Sequence, residues 1–524
     1  MANSKNKHGQ YFTPRHVSDL MVSLLKTNKS GKVLEPSSGK GVFLDALLDS
    51  NFKNITGIEI DPDLAKHKKI KVINTSFVSW DPDSKYDAVI GNPPYIRWKN
   101  LRETDRNEVI CSKHWGKLLN SLSDYLMVFI VNSVDHLSNN GELIFVTPSF
   151  WLHTQHSNAV RQHLLQNGSF TDLITFGETQ VFPGVASSII IFRYQRGLRN
   201  KPNIRHFQFI GKERVLPNQI NLNSKSQFKF EEIPQFEIGK HWTIASAKTQ
   251  NYVNKIETWV SSNQPIENLL GEIRVPTLGE KFNIANGMVS GLDRAFRLPD
   301  DLRKHLTQIE KRALVKVTKA ANLDRLVTTD TTLYIDIPKG LTKQDVKRIY
   351  PNLIKHLEKF KEDLKTRYQY VEDAPFWEWS FRRSENFFKN GENKVFVPCK
   401  ERITNRKNIR FSLVPKNVVA TQDVTAIAPK VSTKETAEYL AAYLNLDEIS
   451  DWIRIRGLIK GGVAEFSERP LASIPFREID WSSKTEVNIH KQITEIVKTT
   501  FKKKLDRENS IKTIRELFKK LGLP

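Results

Sequence analysis

Over the first 195 residues, short apolar runs alternate with amphipathic stretches, the pattern of strands alternating with helices. Val17, Leu20, Met21, Leu24 and Leu25 recur at helical spacing behind Thr13-Pro14, which reads as an N-cap and a helix start. Val33-Leu34-Glu35 is a short strand ending on an acid, followed by a Pro36–Gly41 loop and an apolar helix from Val42. A second strand, Ile55–Ile60, is closed by Glu59, and a third, around Val72 and Ile73, leads to Ser76 and Phe77. A fourth, Ala88-Val89-Ile90, runs into Gly91-Asn92-Pro93-Pro94-Tyr95. An apolar helix over Asp124–Leu137, a strand over Gly141–Thr147, a helix over 157–166 and strands over 171–176 and 187–194 complete about seven strands. The alternation predicts an α/β fold: a Rossmann-like domain over residues 1–195 with a mostly parallel sheet.

The pattern changes after Arg196. Residues 196–269 are polar with short apolar runs and read as a connector with some strand structure. Residues 270–480 read as a second domain of mixed α+β structure, including a helix expected behind a capping box at Ser432 and Glu435. From 481 to 524 the spacing of Ile493, Val497, Phe501, Ile511, Ile514 and Phe518 predicts a basic helical segment.

Charge sharpens this division. The chain of 524 residues carries a formal net charge of +22. Residues 1–195 hold 21 basic and 18 acidic side chains, which leaves 59 against 40 for the rest. A near-neutral half suits an enzyme core, and a strongly basic half suits a polyanion binder. Cys111 and Cys399 lie far apart without a metal-ligand pattern, so neither a disulfide framework nor a metal site is indicated, and a reducing compartment fits. No apolar run approaches membrane-spanning length, so a soluble, cytoplasmic protein without membrane contact is expected.

The stretch from Asp87 to Trp98, DAVIGNPPYIRW, carries the chemistry. It sets an amide, a rigid turn and an aromatic ring at a strand end. The exocyclic amine of adenine is a poor nucleophile because its lone pair is delocalised, so a catalyst has to accept hydrogen bonds from both its protons. The Asn92 side-chain oxygen and the Pro93 carbonyl can do so, with Pro94 stiffening the turn and Tyr95 stacking on the base. Upstream, the loop after Glu35 lacks both the P-loop ending and the dinucleotide glycine spacing, so it is not a phosphate cradle. Its glycines suit close approach to an uncharged part of a ligand, and Glu59 sits where ribose hydroxyls are bound in open α/β sheets.

The ordered set GQYFTP, LEPSSGKG, GIEID and GNPPY resembles the gamma-class (TaqI-like) N6-adenine DNA methyltransferases of type II restriction-modification systems, over roughly residues 8–195. That resemblance implies S-adenosylmethionine as cofactor. Thr13 and Pro36, Ser37, Gly39 and Gly41 would hold its methionine part and Glu59 its ribose. Glu35 would lie beneath, and Ile60 and Phe77 would flank its adenine. Ser76 stands where the family usually has an acid. Asn92, Pro93, Pro94 and Tyr95 would act on a flipped adenine, with Phe182 of the Thr179–Gly184 loop opposite Tyr95. FNIANG at 282–287 and the Ser290–Phe296 stretch look like the opening of the family's target-recognition domain.

Double-stranded DNA is the expected partner, bound by a monomer. Residues 96–122 read as a lid touching DNA, including Trp98. The aromatic and basic cluster of Phe376, Trp377, Trp379, Phe381, Arg382 and Arg383, then Lys400, Arg402, Arg406, Lys407 and Arg410, offers guanine-pairing forks and wedging rings. Arg456 and Lys460 precede a basic Gly461-Gly462 loop. A separately encoded endonuclease acting on the same site would be the companion, and a fused nuclease is not expected. Two other classes fit parts of the pattern. A protein-glutamine methyltransferase would share NPPY but would not need the basic half. A non-catalytic specificity protein would not need an intact NPPY.

Overall fold

A computed structural model describes residues 12–82, 84–182, 188–240, 242–263, 266–267, 273–367, 374–404, 406, 408–460 and 462–524. Gly9, Gln10, Tyr11, Pro183, Gly184, Lys407 and Gly461 therefore lie outside the described residues. The chain divides into two compact units, Met1–Gln250 and Asn251–Pro524.

The first unit is built on one sheet. Its strands are β1 Lys32–Glu35, β2 Asn54–Glu59, β3 Lys71–Asn74, β4 Tyr86–Gly91, β5 Leu137–Pro148, β6 Gly168–Thr175, β7 Ile189–Arg196, β8 Ile204–Phe209 and β9 Phe228–Ile233. The spatial order is β3-β2-β1-β4-β5-β7-β6-β8-β9. Pairing is parallel from β3 through β5 and between β6 and β8, whereas β7 runs antiparallel between β5 and β6, and β9 antiparallel to β8. The sheet thus has nine strands where the apolar pattern predicts about seven. The two further strands come from the stretch that reads as a connector, and they cover the edge that β6 would otherwise leave unpaired.

Helices α1 Arg15–Ser23, α2 Val42–Asp49, α3 Glu103–Cys111, α4 Tyr125–His136 and α5 Asn158–Asn167 flank this sheet. One apolar cluster joins Val17, Met21, Phe43 and Leu47 of α1 and α2 to Ile90, Ile144 and Ile191 of the strands. A second joins Met127, Ile130 and Leu164 of α4 and α5 to Val89, Leu143 and Phe192. Adjacent strand residues therefore face opposite layers, and for that reason the strands read as continuous apolar runs rather than alternating ones. Thr13 is not the cap of α1: Pro14 occupies that position and no side chain caps the helix.

The second unit contains a five-stranded sheet ordered Phe282–Asn286, Val424–Pro429, Lys394–Pro398, Ser412–Val414 and Leu326–Val327. Two three-stranded sheets accompany it. One holds Thr332–Ile335, Leu314–Thr318 and Val418–Ala420, and the other Lys400–Arg402, Val463–Glu465 and Ile459–Lys460. The helix expected behind Ser432 starts at Ala437, capped by Thr436, whose hydroxyl accepts from the Tyr439 amide. Glu435 instead accepts from the Ile479 amide and the Trp481 indole, so a tertiary contact takes the residue that the local pattern assigns to a cap. The terminal segment is two helices, Lys484–Lys503 and Arg507–Lys520, broken where Lys504 turns left-handed at φ 51°. Its apolar stripe, Ile493, Val497, Ile514 and Phe518, is buried in the core of this unit beside Tyr439 and Tyr443.

Candidate active site

Sheet order reverses at β1: β2 and β3 lie on one side, β4 and β5 on the other. Loops leaving the carboxyl ends at such a point diverge and leave a crevice. A cavity of about 250 Å³ occupies it. Pro36, Ser37 and Gly39 line it from β1, Glu59 and Ile60 from β2, Ser76 and Phe77 from β3, and Asn92, Pro93, Pro94 and Tyr95 from β4. Thr13 lines it from the segment ahead of α1.

Glu59, 3% exposed, holds two of these loops. One carboxylate oxygen accepts from the Gly39 amide at 2.7 Å and the other from the Asp61 amide at 2.9 Å. Gly39 has φ 52° with open space where a Cβ would stand, so the left-handed backbone and not crowding calls for glycine. The Ser38 amide donates to the Ile58 carbonyl, and the Ser37 hydroxyl to the Asn92 carbonyl at 3.2 Å, tying the β1 loop to its neighbours on both sides.

Asn92 is oriented from two directions. Its amide nitrogen donates to the Thr13 hydroxyl oxygen at 3.0 Å, which turns the amide oxygen the other way. That oxygen receives the Tyr95 hydroxyl, which also stands 2.6 Å from the Val146 carbonyl. Burial pushes the Tyr95 phenol well above its ordinary range, so the hydroxyl keeps its proton for donation.

Three expected site residues stand off the cavity lining. Glu35 is fully buried beneath it, and among the described residues neither carboxylate oxygen has a partner at normal hydrogen-bonding geometry. Desolvation, then the charge of Glu59, raises its pKa well above the usual value, and the Ser37 amide offsets only part of this. Gly41 is the N-cap of α2 at φ 82°, where a Cβ would come within 3.1 Å of the His67 ring. Phe182, 2% exposed, belongs to the apolar cluster on which Tyr95 packs.

The expected lid builds cavity wall. Ile96, Arg102 and Asp105 line the cavity, as do Tyr125 and Phe129 of α4. Arg102 grips Asp105 with two bonds of 2.9 and 2.8 Å, and Ser76 donates to Glu108 at 2.5 Å. Sequence reasoning missed the α3 wall because that helix is mostly polar, with Val109 and Ile110 side by side rather than at helical spacing, and carries no motif. Trp98 stacks on Trp115 with ring centroids 4.9 Å apart, half-buried in the same layer.

The residues expected at a DNA surface separate into two groups. Arg382 is buried, paired with Asp336 at 2.5 Å and donating to the Ile337 carbonyl at 2.6 Å. Arg383 donates to the Gly287 carbonyl at 2.6 Å, and Arg456 pairs with Glu257 at 3.3 Å and donates to Asn254. Phe376, Trp377 and Trp379 are core residues, not wedges, and the Trp379 indole donates to the Ile335 carbonyl. Lys400 and Arg402, by contrast, are exposed on one face of their strand with buried Glu401 between them. Glu401 anchors Arg410 at 2.7 Å and the exposed Arg406 at 3.3 Å. Lys460 lies in the third strand of this small sheet, so the fold gathers four of the candidates in one place.

Residues 22–182 match the Eco57I restriction-modification methylase family. Type II methyltransferase M.HindII of Haemophilus influenzae is 39% identical over 501 residues, spanning 94% of this chain and 93% of the relative. Type II methyltransferase M.HincII of the same species is 38% identical over 499 residues, again spanning 94% and 93%. A solved structure of the Type IIL restriction-modification enzyme MmeI in complex with DNA superposes with TM-score 0.58 over 96% of this chain and 71% of that one. At 13% identity that likeness is one of fold. S-adenosylmethionine is the cofactor expected of such methyltransferases. With 39% and 38% identity to two of them across nearly the whole of both chains, the chain belongs to the Type II methyltransferases of restriction-modification systems.

Proposed function

We propose that this protein transfers a methyl group from S-adenosylmethionine to the N6 amine of an adenine flipped out of double-stranded DNA, and so protects host DNA from a separately encoded endonuclease acting on the same site. The observation that carries the proposal is the Asn92 amide, oriented by Thr13 so that its oxygen points away from that residue in the cavity wall. The MmeI enzyme, whose fold this chain shares, was solved in complex with DNA, which fits this partner.

The cavity suits the cofactor. It presents acceptors at Glu59 and Asn92 among apolar Ile60, Phe77 and Phe129, and a cationic ligand above buried Glu35 would favour release of the proton that this carboxyl holds in the ligand-free protein. Glu59 would hold the ribose hydroxyls, Ile60 and Phe77 the faces of the purine, and Pro36, Ser37 and Gly39 the methionine part. When bound, the cofactor supplies a methyl group on a sulfonium leaving group. The chain's own residues position the amine for in-line attack. Asn92 and the Pro93 carbonyl accept from its two hydrogens and raise the density on nitrogen. As the new carbon–nitrogen bond forms and the carbon–sulfur bond breaks, the surplus proton is lost to solvent. Tyr95, which lines the cavity, supplies an aromatic face that offsets part of the few kcal/mol of unstacking, with Phe182 in the apolar cluster behind it.

The basic unit would grip and read the duplex, with the exposed Lys400, Arg402 and Arg406 as the first candidates, and the enzyme would act as a monomer in the cytoplasm. The test is to incubate the protein with methyl-tritiated S-adenosylmethionine and duplex DNA, digest to nucleosides and identify which one carries the label. N6-methyldeoxyadenosine is expected. Label on deoxycytidine, or on protein alone, overturns the proposal.

A further inference from the structure

Ser76 is a cavity-lining hydroxyl whose direction is set from outside the cavity. It is 8% exposed and lies at the end of the cavity that Phe77 also lines. A serine hydroxyl has one proton and two lone pairs, and an unconstrained one rotates to suit whatever faces it. Here the proton is taken: the Ser76 hydroxyl donates to the Glu108 carboxylate at 2.5 Å, a charge-assisted bond of the stronger kind. One lone pair accepts from the Val78 amide at 3.3 Å. What Ser76 has left for a ligand is acceptor capacity alone.

No neighbour in α3 duplicates this. Asp105 lines the cavity too, but both its oxygens are turned to the Arg102 guanidinium, and it is Glu108 that bonds Ser76. Tyr125 hydrogen-bonds Ser76 from α4, and burial holds its phenol protonated, so it is a donor to the lone pair that a ligand amine takes over on binding.

We infer that Glu108 is a positioning residue for cofactor specificity: by fixing the Ser76 hydroxyl as a pure acceptor, it makes this end of the cavity select a purine that presents an amine and reject one that presents a carbonyl. This rests on the reading above that the cofactor's purine lies beside Phe77. A site built to accept from an N–H group rejects the analogue lacking it, because two acceptors are left facing each other. Without Glu108, the hydroxyl can turn and donate to a carbonyl, and the preference fades.

The experiment is calorimetric titration of the full-length protein with S-adenosylhomocysteine and with its deaminated counterpart, S-inosylhomocysteine. Wild type, Ser76→Ala, Glu108→Ala and Glu108→Gln are compared, with thermal melting to confirm folding. Wild type is expected to prefer the amine-bearing ligand by about tenfold or more, the scale of one hydrogen bond to a poised group. Glu108→Ala should bring the ratio close to one, chiefly by improved binding of the inosine compound. Glu108→Gln, whose amide oxygen still accepts, should recover part of the preference. If Glu108→Ala weakens both ligands equally and keeps the wild-type ratio, or leaves both unchanged, Glu108 does not orient Ser76 and the inference falls, while a reduced ratio in Ser76→Ala leaves the cavity reading standing. If Ser76→Ala also keeps the wild-type ratio, the purine amine is not at Ser76 and that reading fails with it.

Discussion

The Tyr95 hydroxyl donates to the side-chain oxygen of Asn92, the same oxygen to which the target amine would have to donate. With no base present, the turn is thus satisfied internally, and a base entering the cavity exchanges one donor for another. Tyr95→Phe removes the internal donor and keeps the ring. Losing one neutral hydrogen bond is worth about 1 kcal/mol, so methyl transfer should stay within about tenfold of wild type. Tyr95→Ala also loses a stacking face worth about 1–3 kcal/mol and should fall further, by about 10- to 100-fold. Single-turnover methylation of duplex DNA by both variants checks this, and a Phe variant as impaired as the Ala variant would make the hydroxyl itself essential.

Glu59 spans two loops, so removing it should do more than delete a ribose contact. Glu59→Ala frees the Gly39 and Asp61 amides and should weaken cofactor binding by about 10- to 100-fold, the range of charge-assisted bonds of about 1.5–3 kcal/mol. Glu59→Gln keeps one acceptor but sets an amide N–H against a backbone N–H, and an intermediate loss is expected. Calorimetry with S-adenosylhomocysteine measures both, and unchanged affinity in the Ala variant would remove Glu59 from the binding site.

Buried Glu35 makes the ligand-free protein pH-sensitive in a definite direction. Its folded pKa lies above the ordinary 4.5, so the folded state holds a proton that the unfolded state releases. Stability from this group is therefore full below about pH 4.5 and declines as pH rises toward the folded value. Glu35→Gln, permanently neutral, should melt higher than wild type at pH 8 and no higher at pH 4, while weakening cofactor binding. A melting difference independent of pH would show that the carboxylate does not titrate across that window.

The exposed basic strand and the buried arginine should respond differently to the same substitution. Lys400→Ala and Arg402→Ala should weaken DNA binding, each lowering the salt slope by about one unit if it meets a phosphate, with unchanged melting temperature. Arg382→Ala strands the buried Asp336 carboxylate, left among the described residues with Lys389 at 2.9 Å, and should destabilise the fold by about 3 kcal/mol. Its DNA affinity per folded molecule should be close to wild type. Melting curves and binding isotherms at two salt concentrations separate the two, and a stable Arg382→Ala protein with poor DNA binding would contradict the assignment.

These contrasts show what the amino-acid pattern could disclose. The cavity wall from Pro36 to Tyr95 was legible because each contributing residue sits at the end of a strand, and parallel topology carries successive strand ends to one edge. Glu108 was not. Its contact with Ser76 depends on how a polar helix packs, and nothing local to either residue announces it. Arg382 misled for a related reason: a run of aromatic and basic residues has one composition whether it faces solvent or core, and Asp336, which settles the matter, lies on a separate stretch of chain. The two strands beyond Arg196 were hidden by their polar composition. On an edge strand such as β9, residues like Lys229 and Glu231 can face water, and continuous apolarity is not required.

The Asn92 side chain carries the central claim, and its removal tests that claim most directly. Single-turnover methyl transfer to duplex DNA should be compared for wild type and Asn92→Ala, with cofactor affinity measured on the same preparations. Losing an acceptor used chiefly in the transition state should lower the rate by about 100-fold or more and leave cofactor affinity within a few-fold. A variant that still methylates DNA at nearly the wild-type rate, or one that fails only because it no longer binds cofactor, would contradict the account.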